Sequence, residues 1–138
     1  MDSLVIKKIF DFDVIGFDIV AKTDDVRVEI ETYEFKNQIK IFADKICEYS
    51  CNPKKECVAK ISNFKMKLLP MNKNGHVVTE LEMEIGNDRY DEFLTRKSQK
   101  EKTHKCSFYM LTDIQSIDDF GRRMKGIMDG DIGYEVTL

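Results

Sequence analysis

The sequence has few of the groups on which enzyme catalysis depends. Its 138 residues include only two histidines, His76 and His104, and neither lies in a catalytic motif. A glycine-rich phosphate loop, a nucleophile elbow and a histidine–glutamate metal helix are all absent from the sequence. These absences predict a protein that is not an enzyme and that needs no cofactor.

Long apolar runs are also missing. No run approaches the roughly 20 residues that a membrane-spanning helix requires. Lys7 and Lys8 precede only short apolar runs, which are interrupted by Asp11, Asp13 and Asp18, so no secretory signal is recognisable. We therefore expect a cytoplasmic protein without a membrane partner, whose four cysteines are reduced thiols.

The cysteine pattern argues against a zinc site. Cys47, Cys51 and Cys57, together with His104 or Cys106, include enough soft ligands for one zinc ion. Their spacing differs from that of a zinc knuckle, however. Cys57 and Cys106 also lie on apolar strand faces, where a thiol packs as a small hydrophobic group. The aspartate-rich pattern of a calcium loop is absent as well, so the sequence predicts no metal.

The charge balance indicates no general affinity for nucleic acids. The chain carries 22 basic and 25 acidic side chains, a formal net charge of −3. A basic run at residues 96–105 lacks interleaved aromatic side chains on which bases could stack. The charge is nevertheless uneven: residues 1–35 carry 4 basic and 9 acidic side chains, or −5, whereas residues 36–110 carry 15 and 10, or +5. Ordinary solvated surface explains this distribution, and an acidic face that meets a basic partner is the alternative.

Two segments show the apolar spacing of amphipathic helices. The first is Phe35 to Ser50, and its apolar stripe consists of Phe35, Ile39, Phe42, Ile46 and Tyr49. The second begins at Ser116, which with Asp119 resembles a capping box, and Gly130 is its expected C-terminal cap. Its stripe consists of Ile117, Phe120, Met124, Ile127 and Met128.

The remaining apolar residues mostly alternate with polar ones, as in half-buried strands. Residues 4–12, 17–22, 26–33, 57–69, 77–85 and 106–111 are predicted strands, and residues 132–138 add a short closing strand. The change of parity at Ser62–Asn63 predicts a bulge within one long strand, and residues 86–105 are predicted to be an exposed polar loop. We therefore predict one α+β domain over residues 1–138. A mostly antiparallel sheet of about six strands carries the two amphipathic helices on one face.

Carboxylates concentrate in two places that could contact a partner. One set surrounds the first turns, and the other occupies the polar face of the strand at residues 77–85. Such rows commonly solubilise a sheet and prevent edge-to-edge aggregation, and they can also steer a basic partner. The predicted partner-binding residues are Asp11, Asp13, Asp18, Asp24, Asp25, Glu80, Glu82 and Glu84.

The order of these segments resembles that of small immunity proteins of bacterial polymorphic toxin systems, notably the family that protects against wall-associated toxins. The resemblance rests on the early acidic strands, the Phe35–Ser50 helix, the three strands that follow it, and Ser116–Phe120 at the start of the final helix. It implies a cytosolic antidote that binds a cognate, basic toxin domain and blocks it without chemistry. It assigns no functional residue, because no shared functional motif is present.

Two other functions are compatible with the sequence. One is a structural domain that self-associates through a sheet edge or an exposed apolar strip. The other is an enzyme or metal protein built on His76, His104 and the cysteines. The oligomeric state is left open.

Overall fold

The computed structural model describes residues 2–85 and 104–138, which form two antiparallel sheets of four strands each and two helices. The α+β class is confirmed, although eight strands in two sheets replace the expected single sheet of about six. The elements in chain order are β1 (Ser3–Asp11), β2 (Ile15–Lys22), β3 (Arg27–Glu34), α1 (Lys36–Cys51), β4 (Cys57–Ile61), β5 (Phe64–Leu68), β6 (His76–Ile85), β7 (His104–Asp113), α2 (Ile114–Gly126) and β8 (Glu135–Thr137).

The first sheet has the strand order β3-β2-β1-β8. The predicted β2–β3 hairpin is present, with Ile19 opposite Ile30. Alternation along β2 buries Phe17 and Ile19 on the inner face and leaves Asp18 on the outer face. The outer edge is closed by β8, in which the buried Val136 lies opposite Ile6.

The second sheet has the order β4-β5-β6-β7 and is built from neighbouring hairpins. The expectation of one bulged strand across residues 57–69 is wrong. Ile61 lies directly opposite Phe64, so the chain reverses at Ser62–Asn63, and Ser62 adopts a positive φ of 47°. Paired residues share a face, and a two-residue turn therefore changes the parity of the apolar residues just as a bulge does. The expected pairing of β6 with β7 is confirmed.

Helix α1 buries most of its predicted stripe, namely Ile39, Phe42, Ile46 and Tyr49. Phe35 is the exception: it precedes the helix as its N-cap residue and is 61% exposed. The Phe42 ring centroid lies 6.3 Å from that of Phe64 in β5 and 6.5 Å from that of Phe120 in α2. These aromatic contacts join both helices to the inner face of the second sheet.

Helix α2 begins two residues earlier than expected and ends four residues before Gly130. Its N-cap is Asp113, whose carboxylate accepts a hydrogen bond of 2.8 Å from the amide of Ser116. The predicted capping box is therefore wrong, and Asp119 pairs with Arg122 instead. In the middle of the helix, a Cβ at Gly121 would lie 3.0 Å from Cys47 Sγ, so α1 and α2 pack closely there.

The predicted exposed loop at residues 86–105 falls mostly outside the described residues. His104 and Lys105, at its end, are the first residues of β7, opposite Ile85 and Glu84. Neither α1 nor α2, the helices of the described chain, has the length and apolar character needed to cross a membrane.

Candidate functional site

The structure distributes the predicted carboxylates over both sheets rather than on one surface. Asp18 lies on the outer face of the first sheet, between β1 and β3. Asp13 is exposed in the β1–β2 turn, and Asp24 and Asp25 are exposed in the β2–β3 turn. The remaining predicted residues are Asp11 at the end of β1 and the three glutamates Glu80, Glu82 and Glu84 on the outer face of β6.

Two of the glutamates of β6, Glu82 and Glu84, form ion pairs with lysines of the neighbouring strands. Lys65 and Lys67 of β5 lie opposite Glu82 and Glu80. Glu82 pairs with Lys65 Nζ at 3.4 Å and with Lys105 Nζ at 3.1 Å, and Lys105 also reaches Glu84 at 3.6 Å. The hydrogen bond from Lys105 lowers the pKa of Glu82. This face is a ladder of alternating charges, and its geometry favours a role in solubility and strand pairing.

The outer face of the first sheet, in contrast, brings carboxylates together. Asp18 lies opposite Glu31 of β3, and Val20, two residues along β2, lies opposite Glu29. Asp18, Glu29 and Glu31 line a shallow depression together with Ile9 of β1. We refer to these three acidic residues as the carboxylate cluster. Of these three residues, the sequence predicts only Asp18 as a contact. The alternation along β3 shows that Glu29 and Glu31 are on its polar face, but it does not show which residues of β2 lie opposite them.

Burial and neighbouring negative charge act together on Asp18. Burial raises the pKa of the Asp18 carboxyl, and a hydrogen bond to Glu29 and the charges of Glu29 and Glu31 raise it further. The pKa of Glu29 is lowered, because its carboxylate accepts a hydrogen bond from Arg27 at 2.9 Å and another from Asp18. Asp18 thus holds a proton more readily than an ordinary aspartate does. A cation placed over the depression would relieve this repulsion.

Four exposed aromatic residues border this face where β1 turns into β2 and β3 leads into α1. They are Phe10, Phe12, Tyr33 and Phe35, which we call the aromatic edge. Phe10 and Tyr33 meet edge to face with ring centroids 6.0 Å apart. The Tyr33 hydroxyl donates a 2.7 Å hydrogen bond to Glu31 and so connects the aromatic edge to the carboxylate cluster.

Gly16 explains how the two rings can approach each other. It lies opposite Tyr33 in the register, and a Cβ there would lie 2.7 Å from Tyr33 Cε1 and 2.9 Å from Phe10 Cβ. Any larger residue would therefore separate the rings. The sequence does not predict the aromatic edge, since its pattern places Phe10 and Phe12 in a strand and Phe35 in the apolar stripe of a helix. The sequence feature that could have indicated this contact is Gly16, because a glycine inside an apolar strand often marks a close approach by neighbouring groups.

Asp11 has a structural role at the base of the aromatic edge. The Lys8 side chain is fully buried, and its ammonium donates to the carbonyl oxygens of Met128 at 3.0 Å and Gly130 at 2.7 Å. Asp11 pairs with this ammonium at 2.8 Å and with Lys36 at 3.5 Å. These partners, above all the hydrogen bond from Lys8, lower the pKa of Asp11.

The residues considered for catalysis or zinc binding are not assembled into a site. Within residues 2–85 and 104–138, no three His, Cys, Asp or Glu side chains are placed to hold a metal ion. His76 and His104 lie at opposite ends of the β6–β7 pair, nine residue pairs or about 30 Å apart. Burial raises the pKa of the Cys47 and Cys57 thiols, which keeps them protonated and poorly nucleophilic.

No protein-family model matches the chain, and no match was found among the curated proteins or the solved structures. Function is therefore inferred from the geometry of the outer face of the first sheet.

Proposed function

We propose that this chain is a non-enzymatic protein-binding module that contacts its partner through the outer face of the first sheet. The observation that carries the proposal is the adjacency of the carboxylate cluster and the aromatic edge, joined by the hydrogen bond from Tyr33 to Glu31. Exposed aromatic side chains supply most of the energy at many protein interfaces, and charged neighbours supply orientation and association rate. A surface that combines both suits protein binding.

The chemistry of the surface favours a basic partner. Burial raises the pKa of Asp18 first, and the two glutamates of the cluster raise it further. Arg27 forms an ion pair with Glu29. An arginine or lysine of the partner would pair with the cluster, while apolar groups of the partner would cover Phe10 and Tyr33. A basic toxin domain is the kind of partner that the resemblance to immunity proteins implies. We place the encounter in the cytoplasm, where such an antidote would mask the toxin before it acts.

The proposal is tested by measuring binding to the product of the neighbouring gene, first by pull-down and then by titration calorimetry. We expect Asp18→Asn and Glu31→Gln each to weaken binding by about tenfold or more, since each removes a charge from the contact surface. Phe12→Ala, which removes a side chain that is 73% exposed, should weaken binding without unfolding the chain.

Glu80→Gln is the matched control, because it removes one negative charge from the outer face of the other sheet. It should leave the dissociation constant within about twofold of the wild-type value. Equal weakening by Glu80→Gln and Glu31→Gln would contradict a contact surface confined to the first sheet. Unchanged binding by Asp18→Asn, Glu31→Gln and Phe12→Ala together would refute the proposed surface.

A further inference from the structure

Strand β7 forms one edge of the second sheet. It is ten residues long and pairs with β6 on one side, and no other strand of the described residues pairs with its far side. Long open edges offer unpaired N–H and C=O groups to another chain, and proteins usually cover them or break them with charge and proline. Strand β7 contains no proline, and its one lysine lies near its beginning.

The hydrogen bonds around β6 determine which backbone groups of β7 reach the open edge. On one side of β6, the amide of Ile114 donates a 3.1 Å hydrogen bond to the carbonyl oxygen of Gly75. On the other side, the amide of Leu69 donates a 3.1 Å hydrogen bond to the carbonyl oxygen of Val78. Successive residues of an antiparallel strand direct their N–H and C=O groups to alternate sides. The even-numbered residues of β7 therefore bond to β6, and the odd-numbered residues direct theirs outward.

The outward-bonding residues also place their side chains on the outer face of the sheet. Among them, Tyr109 is 63% exposed and Leu111 is 66% exposed, next to each other along the same face. An apolar strip thus accompanies the open backbone groups. The full set is Lys105, Ser107, Tyr109, Leu111 and Asp113.

We propose that a second copy of this chain pairs antiparallel with β7 about a two-fold axis at Tyr109, joining the two second sheets into one sheet of eight strands. In this register Tyr109 faces Tyr109 of the second copy and Lys105 faces Asp113 of the second copy. Leu111 faces Ser107 of the second copy, beside the tyrosine pair. Two copies of β7 related by the two-fold axis therefore match each other in backbone hydrogen bonding, in apolar surface and in charge, as a two-fold interface requires.

Neighbouring registers lack this complementarity. A shift by one residue places outward-bonding residues opposite residues that already bond to β6. A shift by two residues in one direction places Lys105 opposite Leu111. The same shift in the other direction places Ser107 opposite Asp113 and leaves Lys105 without an acidic partner across the edge.

Within one chain Lys105 already pairs with Glu82 and Glu84, and Asp113 accepts hydrogen bonds from Ser116. The facing charges of the second copy add to these contacts and favour this register over its neighbours.

The first test is the oligomeric state of the full chain, measured by sedimentation velocity and light scattering over a wide range of concentration. We expect a dimer that dissociates on dilution. Tyr109→Lys should raise the dissociation constant by about tenfold or more, because the two lysines would face each other across the two-fold axis. Leu111→Lys should also raise it, because a charge would replace an apolar side chain of the strip beside the tyrosine pair. Val58→Lys, on the outer face of β4 at the other edge of the same sheet, is the control and should leave the constant unchanged. A wild-type monomer at every concentration would overturn the proposal.

The second test addresses the register through disulfide formation under mild oxidation. Facing residues of an antiparallel pair have Cα atoms about 5.5 Å apart, within reach of a disulfide. Tyr109→Cys should therefore give a covalent dimer in high yield. The two copies of Ser107→Cys would be four residues apart along the strands, about 13 Å, and should cross-link no more than wild type. Equal cross-linking of both variants, or greater cross-linking of Ser107→Cys, would refute the register.

Discussion

The Asp18 carboxyl has opposite consequences for stability and for binding. Burial and the adjacent glutamates raise its pKa in the folded chain. A carboxyl whose folded pKa exceeds its unfolded pKa lowers stability above the folded value, and its effect vanishes below the unfolded value. Charged Asp18 therefore destabilises the fold at neutral pH, at a position where we propose that the charge serves partner binding.

Because of this raised pKa, we expect Asp18→Asn to raise the free energy of unfolding at neutral pH. The gain should disappear as the pH falls below the pKa of an unfolded aspartate. Urea denaturation at fixed protein concentration across the pH range measures the effect. Glu82→Gln is a control of opposite sign. The lowered pKa of Glu82, caused first by Lys105, means that its loss should reduce stability at neutral pH and not in acid. A gain that persisted in acid would contradict the assigned cause.

Single residues of the site were only partly predictable. Asp18 is among the predicted contacts because it belongs to the acidic set around the first turns. Asp11 was also predicted, yet the buried Lys8 ammonium and Lys36 both pair with it. A buried lysine interrupts the apolar alternation of β1, and the sequence does not reveal which carbonyl oxygens it meets 120 residues later.

At the scale of the element, the start of α2 provides a sharp comparison between two aspartates. Asp113 accepts hydrogen bonds from the Ser116 amide at 2.8 Å and the Ser116 hydroxyl at 3.1 Å. Asp113→Ala should therefore reduce the free energy of unfolding by about 1 kcal/mol. Asp119→Ala, which removes an exposed ion pair with Arg122 and an exposed hydrogen bond from the Gln115 side chain, should cost less than about 0.5 kcal/mol. Thermal or urea unfolding distinguishes the two, and the reverse order would restore the capping box at Ser116.

Element types were predictable because each has its own apolar period, whereas element ends depended on local turns. The stripe of α1 and the alternation of β6 indicated a helix and a strand. The same alternation could not separate a bulge at Ser62–Asn63 from a two-residue turn, since both change the parity. Phe35 continued the stripe of α1 by spacing alone, although it lies outside the helix, where its side chain is free to reach solvent.

At the scale of the whole molecule, the number of sheets depends on contacts that alternation does not specify. Alternation shows which face of each strand is buried, but it does not show which other strands pair with that strand. The decisive pairing is that of β8 with β1, which places Val136 opposite Ile6 and gives the first sheet a strand from the other end of the chain. Only three residues form β8, too few to establish an alternating pattern.

The importance of this strand can be measured with one pair of variants. Val136 is fully buried, and Val136→Ala should lower the free energy of unfolding by about 1–3 kcal/mol through lost burial and a residual cavity. Ile132→Ala, at a side chain that is 64% exposed, should change it by less than about 0.5 kcal/mol. Equal effects in urea denaturation would show that β8 contributes little to the first sheet.

The β8–β1 pairing also bears on the order of folding. The second sheet joins strands that follow one another along the chain, so its hairpins close short loops, apart from the β6–β7 connection. The first sheet is complete only when Val136 reaches Ile6, 130 positions away. Closing so large a loop is slow, because the chain loses conformational entropy before the β8–β1 contacts form and stabilise it. During synthesis on the ribosome, we therefore expect one edge of β1 to stay unpaired until residues 135–137 have emerged. Chaperones could bind the chain during this interval.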